Sequence, residues 1–486
     1  MKAVNLRERY QQRYGIKQPL RGYQLKAAAL GTRVDNYGLL LDPRLGKTRV
    51  DIAVAGYRFL QGQVTMWVII CPSIAKDVWA TEIRDTLNVP HTVEIVEGKA
   101  EERKILMKGW KPVPGVLSIL ILNPEATWRV KQLLYKSNPH KITVDESHRI
   151  KNHAAKQSKT IHTLGLRATY RCIMTGTFLS TPTDAFSQFK FLDPSVFGTR
   201  WKRARFGGPS GFLEEYVATY GFGGHKPKTF KNLDQLREKV SSVCFQMTRQ
   251  EAGGFPLEQY QTIHFELMNP ALKHYGSMLA KLSTTVRASS GQEKVVAEIV
   301  LTQVLRLQQI TGGFLPVHDL DENQVENVPL GNDRIRALAE LVGEYPQTEP
   351  LVIFCKFRYE LEAIQEQMRK MRRSVNFIAG GMRKADRDRA KWDFQEGKIN
   401  TCVVQIRAGG IAIDLSRADT GIFYSLTSSY IDYEQAKARI IARTGGSVSL
   451  IHLSARNTVD DDIIGSVVEK QDLVKLVLGR IEGENK

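Results

Sequence analysis

The stretch LLLDPRLGKTR, residues 39–49, decides the fold of the amino-terminal part of the chain. Its apolar start predicts a buried strand, and a helical pattern follows the Gly-Lys-Thr group. A loop between two such elements directs backbone N–H groups and a helix start at phosphate oxygens. Lys47 would reach the β- and γ-phosphates of a nucleotide, and the Thr48 hydroxyl would bind Mg²⁺. The nucleotide contacts predicted for this loop are Leu45, Gly46, Lys47, Thr48 and Arg49.

The loop alone is a weak signal, because the general phosphate-loop pattern has glycine where Leu41 stands. A second stretch, KITVDESHRIKN at residues 141–152, places two carboxylates at the end of an apolar strand. Asp145 would hold Mg²⁺, and Glu146 would orient and deprotonate the attacking water. A helix start that favours acidic residues would also explain the pair. That explanation does not account for both halves of a nucleotide site in the right order.

Apolar strands alternate with amphipathic helical stretches in two separate blocks of the chain. Continuous β-rich apolar runs between helical patterns favour parallel sheets covered on both faces, so the sequence predicts an α/β protein with two doubly wound domains. The strands are predicted near residues 64–72, 115–124, 141–147 and 171–177, and again near 350–357, 374–381, 400–406, 420–426 and 448–454.

The segment between the two blocks has a different composition. Residues 197–232 are rich in glycine, aromatic and basic residues, which is typical either of a mobile loop or of an insertion that faces nucleic acid. Helical patterns follow, and residues 311–330 contain the glycine, proline and acidic residues of a linker. The predicted domains are residues 1–195, a helical and basic insertion with its linker at 196–325, and residues 326–486.

The overall charge favours a polyanionic partner. The 486 residues carry a formal net charge of +18 and a pI of about 9.6, which is typical of nucleic-acid-binding proteins. No stretch approaches the roughly 20 apolar residues of a membrane helix, and the amino terminus lacks an apolar signal-peptide core. The five cysteines are far apart in sequence and are predicted to be reduced core residues of a cytoplasmic protein.

The group Asp-Glu-Ser-His at 145–148 resembles the DEAD/DEAH signature of superfamily 2 helicases and translocases. Within that superfamily, nearly the whole chain is similar to the SWI/SNF-type group in its compact phage or bacterial form. The resemblance implies two RecA-like lobes with a helical insertion between them, ATP and Mg²⁺ as cofactors, and nucleic acid as the partner. We expect the protein to act as a monomer.

Further motifs of the first lobe support this resemblance. Tyr23 and Gln24 match the motif that reads adenine, and an amide can pair with adenine N6 and N7. Residues 71–73, followed by Trp79, match a motif that lies along the DNA strand. The residues that the family uses to couple hydrolysis to nucleic-acid contact match His148, Thr175, Gly176 and Thr177.

In the second lobe, residues 305–314 resemble the helix that crosses between the lobes, and residues 405–419 resemble the Ala-Gly-Gly motif of the family. The resemblance assigns Gly410 and Asp414 to the nucleotide. The final motif, YEQAKARIIARTGG, supplies the arginine that completes the site from the second lobe. The residues matched to nucleic-acid coupling and to this arginine are Gln405, Arg407, Gln435, Arg439 and Arg443.

Two positions depart from the family pattern. Family members usually have a small residue, often glycine, where Arg44 stands. The last two arginines are usually three residues apart, whereas Arg439 and Arg443 are four apart. This spacing places them with Gln435 on one helical face, or a local bulge restores the usual geometry. We expect Arg443 to be the arginine finger, with Arg439 as the alternative.

Three functions are compatible with these motifs. The first is a motor that couples ATP hydrolysis to translocation on, or remodelling of, double-stranded or branched DNA. The second is a strand-separating helicase on DNA or RNA. The third is a nucleic-acid-binding protein whose ATPase has decayed. The SWI/SNF-like motifs favour the first function, and the intact Lys47, Thr48, Asp145 and Glu146 argue against the third.

Overall fold

The structure is a computed structural model that describes residues 6–176, 182–202, 210–219, 227–288, 293–318, 325–407, 413–441 and 446–469. The chain divides into two compact units, Met1–Gly253 and Gly254–Lys486. Among the residues described, no helix has the length and apolar character needed to cross a bilayer.

The first unit is built on a seven-stranded parallel sheet in the order β3-β4-β2-β5-β6-β1-β9, and two short strands, β7 and β8, form an antiparallel pair beside it. Parallel strands need crossover connections, and helices supply them on both faces. The strands are β1 Asn36–Leu41, β2 Met66–Ile70, β3 His91–Ile95, β4 Leu117–Leu122, β5 Lys141–Asp145, β6 Tyr170–Met174, β7 Val217–Thr219, β8 Pro227–Phe230 and β9 Cys244–Met247. The helices are α1 Leu6–Tyr14, α2 Gly22–Arg33, α3 Lys47–Leu60, α4 Lys76–Thr86, α5 Ala100–Gly109, α6 Pro124–Thr127, α7 Lys131–Ser137, α8 Lys156–Gly165, α9 Asp184–Leu192, α10 Pro194–Phe197, α11 Phe212–Tyr216, α12 Leu233–Val243 and α13 Arg249–Ala252.

The second unit has a six-stranded parallel sheet in the order β10-β17-β16-β13-β15-β14, with a separate antiparallel hairpin of β11 and β12. A long helical pair, α14 and α15, packs into the same apolar core as this sheet. The strands are β10 Leu257–Phe265, β11 Phe314–His318, β12 Val325–Pro329, β13 Leu351–Cys355, β14 Val375–Ile378, β15 Thr401–Gln405, β16 Thr420–Phe423 and β17 Ser447–Ala455. The helices are α14 Ala271–Ala288, α15 Glu293–Thr311, α16 Asp333–Gly343, α17 Arg358–Lys370, α18 Lys384–Gln395, α19 Tyr430–Ala438 and α20 Val459–Val468.

The predicted pair of doubly wound parallel sheets is confirmed, and each apolar run predicted as a strand lies in one of them. The central strands are buried along almost their whole length, as their unbroken apolar sequences require. The five cysteines lie in this buried interior, each as a free thiol.

The segment predicted as an insertion is shared between the two units. Its first part supplies β9, which pairs with β1, so residues 196–253 belong to the first unit. Its second part supplies β10 and the α14–α15 pair of the second unit. The stretch 311–330, predicted as a linker, contains the β11–β12 hairpin. These strands escaped sequence reasoning because β9 has only four residues and β10 exposes both of its faces, so neither forms a long apolar run.

Helix α1 docks on α3 through a very close approach at Gly56. A Cβ atom placed at Gly56 would lie 2.2 Å from the backbone oxygen of Tyr14. The Gly56→Ala variant should therefore force the backbone apart and lower the thermal unfolding midpoint. Overpacking of this kind costs about 1–3 kcal/mol, which outweighs the roughly 1 kcal/mol that alanine gains over glycine inside a helix.

The control is Gly109→Ala in α5, because a Cβ atom at Gly109 meets nothing within 4 Å. Its unfolding midpoint should equal or exceed that of the wild type. Equal midpoints for the two variants in calorimetry would show that the α1–α3 contact is not as tight as described.

Candidate active site

The register of three neighbouring strands brings the sequence-predicted residues of the first unit together. Leu39 of β1 and Asp145 of β5 are both in register with Met174 of β6, the strand between them. The carboxyl ends of parallel strands meet at one edge of a sheet. The phosphate loop, the carboxylate pair and Thr175 therefore emerge side by side.

The phosphate loop turns between β1 and α3 through two left-handed residues, Arg44 with φ 73° and Gly46 with φ 79°. Glycine adopts such angles without steric cost, whereas a non-glycine residue rarely does. Arg44 therefore keeps the backbone conformation that favours the glycine usual in the family. The departure at this position changes the side chain and adds strain, but the loop retains its turn.

Lys47 begins α3 and points back across the loop. Its Nζ donates to the backbone oxygen of Leu41 at 2.8 Å. Burial lowers the pKa of the Lys47 amine, while the nearby negative charges of Glu146 and Asp145 oppose this effect. Thr48 and Arg49 follow in the first turn of α3, and both are half-buried.

Tyr23 and Gln24 support the loop from α2. The Tyr23 hydroxyl and the Gln24 side-chain amide both donate to the backbone oxygen of Leu45, at 3.2 and 3.0 Å. The amide oxygen of Gln24 accepts the N–H of Arg21 at 3.0 Å. The nitrogen end of the Gln24 amide thus holds the loop, while its oxygen end caps the start of α2, a role that the sequence did not indicate. Their predicted contact with adenine stays a prediction.

Asp145 and Glu146 form a buried carboxylate pair at the end of β5. The indole N–H of Trp79 donates to Oδ2 of Asp145 at 2.9 Å, and the backbone N–H of Glu146 donates to Oδ1 at 2.9 Å. Burial, reinforced by the charge of Glu146, raises the pKa of Asp145 to about 6. Burial also acts to raise the pKa of Glu146, but its hydrogen bond with His148 and the charges of His148 and Lys47 hold it below its ordinary value.

The predicted coupling residues His148 and Thr175 lie against Glu146. Nδ1 of His148 is 3.1 Å from Oε2 of Glu146 and 3.3 Å from the Thr175 hydroxyl. The next residue, Gly176, passes so close to the phosphate loop that a Cβ atom there would lie 2.8 Å from Cδ of Pro43. One chain of contacts therefore joins the carboxylate pair, the strand after it and the phosphate loop. Thr177 lies outside the described residues.

One residue of this site, Trp79, has a different role from the one predicted, and another, Arg249, was not predicted from the sequence. Trp79 was placed with a segment that lies along DNA, but its side chain is 1% exposed and bound to Asp145. Arg249 was not singled out, yet its backbone N–H donates to the Asp42 carboxylate at 2.9 Å and its charge acts on Lys47. No local pattern marks Arg249, because the edge strand β9 brings it to the loop from about two hundred residues away.

Among the predicted residues of the second unit, Arg407 links the end of β15 to the first turn of α19. Arg407 donates to Asp432 at 2.9 Å, and the Gln405 side chain joins the backbone of Lys356 to that of Gly380. The Asp414 carboxylate accepts the N–H of Ser416, and Gln435 is half-buried on α19.

Arg439 is a buried residue at the end of α19, 3% exposed, and its Nη2 donates to the backbone oxygen of Ile406 at 3.1 Å. Burial lowers its pKa to about 10. The helix ends at Ala438, so the single helical face predicted for Gln435, Arg439 and Arg443 does not continue through the described part of this motif. Gly410 and Arg443 lie outside the described residues.

The residues of the first unit suit a magnesium nucleotide. The first N–H groups of a helix lack partners within the helix, and those of α3 follow a left-handed turn at Gly46. A lysine amine, a threonine hydroxyl and a buried carboxylate pair are the chemical groups that bind triphosphate and Mg²⁺. Lys47 and Thr48 would hold the phosphates and the metal, with Asp145 as the second metal ligand.

A parallel sheet with this loop and this carboxylate pair at the same strand-end edge defines the class of phosphate-loop nucleoside triphosphatases. Residues 22–312 match the SNF2-related domain, and residues 333–445 match the Helicase conserved C-terminal domain. The first match covers more than half of the chain, so this protein belongs to the SNF2-related family of helicase-type ATPases.

The chain is similar to several curated proteins over most of its length. It is 23% identical over 441 residues to the Chromodomain-helicase-DNA-binding protein 1-like of Mus musculus, covering 89% of this chain and 47% of that protein. It is 23% identical over 482 residues to the SWI/SNF-related matrix-associated actin-dependent regulator of chromatin subfamily A-like protein 1 homolog of Caenorhabditis elegans, covering 94% and 61%. The chain thus spans about half the length of these curated relatives.

Among solved structures, the Pyrococcus furiosus Hef helicase domain is similar with a TM-score of 0.53 and 14% identity. The match covers 92% of this chain and 98% of that one. At this identity, the likeness shows the shared fold of two parallel-sheet lobes.

The raised pKa of Asp145 predicts a pH-dependent cost to the folded protein without nucleotide. Because folding raises this pKa from about 4 to about 6, the folded state binds the proton more tightly, and the free energy of unfolding falls as the pH rises between these values. The Asp145→Asn variant has no carboxyl proton to gain or lose, so it lacks this pH dependence. Relative to wild type, it should gain roughly 2 kcal/mol of stability between pH 4 and pH 7.

Chemical unfolding of both proteins across this pH range measures the gain. Asp85→Asn on the exposed side of α4 is the control for the loss of a carboxyl group outside the site. A difference between Asp145→Asn and wild type that does not change with pH would contradict the raised pKa of Asp145.

Proposed function

We propose that this protein hydrolyses ATP with Mg²⁺ and uses the energy to translocate along, or remodel, double-stranded or branched DNA. The observation that carries the proposal is the contact of His148 with both Glu146 and Thr175, beside the phosphate loop. Membership of the SNF2-related family supports the same activity. The chain covers only part of its relatives, so DNA as the substrate is part of the proposal.

Glu146 is well suited to act as the general base for the attacking water. Its pKa is held below the ordinary value, so it is an ionised acceptor at neutral pH. Mg²⁺, when bound by Thr48 and Asp145, would neutralise phosphate charge. The His148 ring then links this base to Thr175, at the start of the segment that the family uses to contact nucleic acid.

The strand-end edge of the first sheet also presents groups that suit a DNA backbone. Trp128, which is 36% exposed, follows the end of β4, and the cationic groups of Arg129 and Lys156 lie 5.4 and 5.3 Å from its ring centre. Aromatic and cationic side chains in such proximity bind sugar–phosphate chains without reading sequence. The net charge of +18 favours the same partner.

Three finer points belong to the proposal and rest on the sequence. We expect the motor to work in the cytoplasm, which is the host cytoplasm if a phage encodes it, and to act as a monomer. We also expect the SWI/SNF-like motifs at residues 305–314 and 405–419 to favour duplex over single-stranded substrates.

The first prediction from this function concerns the substrate. Steady-state ATP turnover should be stimulated more by double-stranded or forked DNA than by single-stranded DNA or RNA. The stimulation should weaken steeply as salt rises, because bound phosphates release counterions.

Glu146→Gln should retain nucleotide binding and lose about 10²–10⁴ in turnover, because only the base is removed.

Lys47→Ala serves as the comparison, since it should weaken nucleotide binding as well as turnover. Equal or stronger stimulation by single-stranded RNA would favour a strand-separating helicase. Nucleotide binding with no turnover under any condition would favour a decayed ATPase, and near-normal turnover in Glu146→Gln would remove Glu146 from its role.

The second prediction separates the two arginines of the last motif. Arg439 donates to a backbone oxygen in the interior, so Arg439→Ala should destabilise the protein by about 1–3 kcal/mol through a buried acceptor left without its donor. Arg443→Ala should keep nucleotide and DNA binding and reduce turnover by about 10³-fold or more, as loss of an arginine finger does.

Turnover, nucleotide binding and thermal unfolding measured on both variants decide the assignment. If Arg439→Ala alone loses turnover while keeping its stability, Arg439 is the finger. If neither variant loses turnover, the last motif does not contribute an arginine to hydrolysis.

A further inference from the structure

A fully buried ion pair lies directly below the phosphate loop in the first unit. Nζ of Lys141 on β5 is 2.7 Å from Oδ1 of Asp51 on α3, and both side chains are 0% exposed. Charged side chains are almost never so deeply buried without a compensating partner. This pair therefore marks a place where the chain maintains a specific polar contact inside an apolar core.

The two charged groups are also held by directional contacts from Tyr37, Thr143 and Trp67. The Tyr37 hydroxyl on β1 accepts from Lys141 at 3.0 Å and donates to Oδ1 of Asp51. The Thr143 hydroxyl donates to Oδ2 of Asp51 at 2.7 Å. The Lys141 ammonium also lies 5.0 and 5.4 Å from the ring centres of Tyr37 and Trp67. Each charged group is thus held from several sides in one geometry.

The position of the pair relates it to the nucleotide site by simple geometry. Asp51 follows Lys47 by four residues on α3, so both lie on the same helical face, about 6 Å apart along the axis. Thr143 precedes Asp145 by two residues on β5, so both lie on the same sheet face, about 6.6 Å apart. The two elements therefore meet at two matched levels, with the active groups at the upper level and Asp51 with Thr143 at the lower.

A second path connects the same network to Asp145 itself. Thr143 accepts the indole N–H of Trp67 at 2.9 Å, and Trp67 packs edge-on against Trp79 with ring centres 5.9 Å apart. Trp79 donates its own indole N–H to Asp145 at 2.9 Å. The lower level is thus tied to the orientation of the carboxylate as well as to the position of the helix.

An ion pair of this kind is a poor source of stability, because desolvation offsets much of the attraction, and apolar residues of similar volume often serve as well. What it supplies is a fixed register. We propose that Asp51 and Lys141 are positioning residues for ATP hydrolysis, which hold α3 and its phosphate loop in register with Asp145 and Glu146. This inference rests on the proposed ATPase function.

The test replaces the pair by apolar groups without leaving a lone charge. The variant Tyr37→Phe/Asp51→Leu/Lys141→Met removes both charges and the bridging hydroxyl. It should fold and keep its nucleotide KM within about threefold, because uniform binding is retained. Its kcat should fall by about 10²-fold, the cost of a displacement of about 1 Å in a catalytic site. The Mg²⁺ concentration for half-maximal turnover should rise, since α3, which carries Thr48, would shift relative to Asp145 on β5.

Two further variants keep the result interpretable. Arg373→Met removes a buried guanidinium that binds the backbone oxygens of Tyr345, Pro346 and Glu349 in the second unit, far along the chain from the nucleotide loop. Assayed at the same interval below its unfolding midpoint, it should keep wild-type kcat.

Thr143→Val preserves the shape of the side chain and removes only its hydroxyl link to Asp51. It should show a smaller fall in kcat than the triple variant, at unchanged KM. This test remains available if the triple variant does not fold.

Wild-type kcat and Mg²⁺ dependence in the folded triple variant would overturn the proposal, as would wild-type kcat in Thr143→Val when the triple variant fails to fold. A fall in kcat for Arg373→Met as large as that of the triple variant would also overturn it, because general destabilisation would then explain both. Failure of the proposed ATPase function is a different result, in which the wild-type protein itself shows no turnover.

Discussion

The parallel hydrogen-bonded register of β1, β6 and β5 is the constraint on which the nucleotide site depends. Leu39, Met174 and Asp145 stand in one row across the sheet, and each strand ends at or near that row. The loops that follow must then leave the sheet side by side. A shift of one residue in any of the three strands would turn its side chains to the opposite face and separate the groups that contact one another here.

The site is held by backbone acceptors and buried side chains more than by the groups expected to react. The carbonyl of Leu45 receives donors from two residues of α2, and that of Leu41 receives the Lys47 amine. Behind the carboxylates, Trp79 fixes Asp145 from the interior. The reactive side chains thus have few free rotations, which is the preorganisation that electrostatic catalysis needs.

Much of this arrangement could be predicted from sequence because the motifs are local. Alternating apolar runs identify the two sheets, and a Gly-Lys-Thr group and an acidic pair after a strand identify Lys47, Asp145 and Glu146. The family resemblance adds His148 and Thr175, which the structure places against Glu146. What could not be predicted depends on distant pairing. Lys141 in an apolar strand has no visible partner until α3 places Asp51 beside it, and Arg249 approaches the loop only because β9 adds to β1.

The position of β9 has a consequence for how the first unit is made. β1 leads into the phosphate loop, and its outer edge is covered by β9, which is synthesised about two hundred residues later. Until then, the nascent sheet presents an open hydrogen-bonding edge at β1. Asp42 also lacks its hydrogen bonds to the backbone oxygen of Met247 and the backbone N–H of Arg249. A fragment that stops at residue 195 would therefore retain every nucleotide motif of the first unit and still lack the strand that closes its sheet.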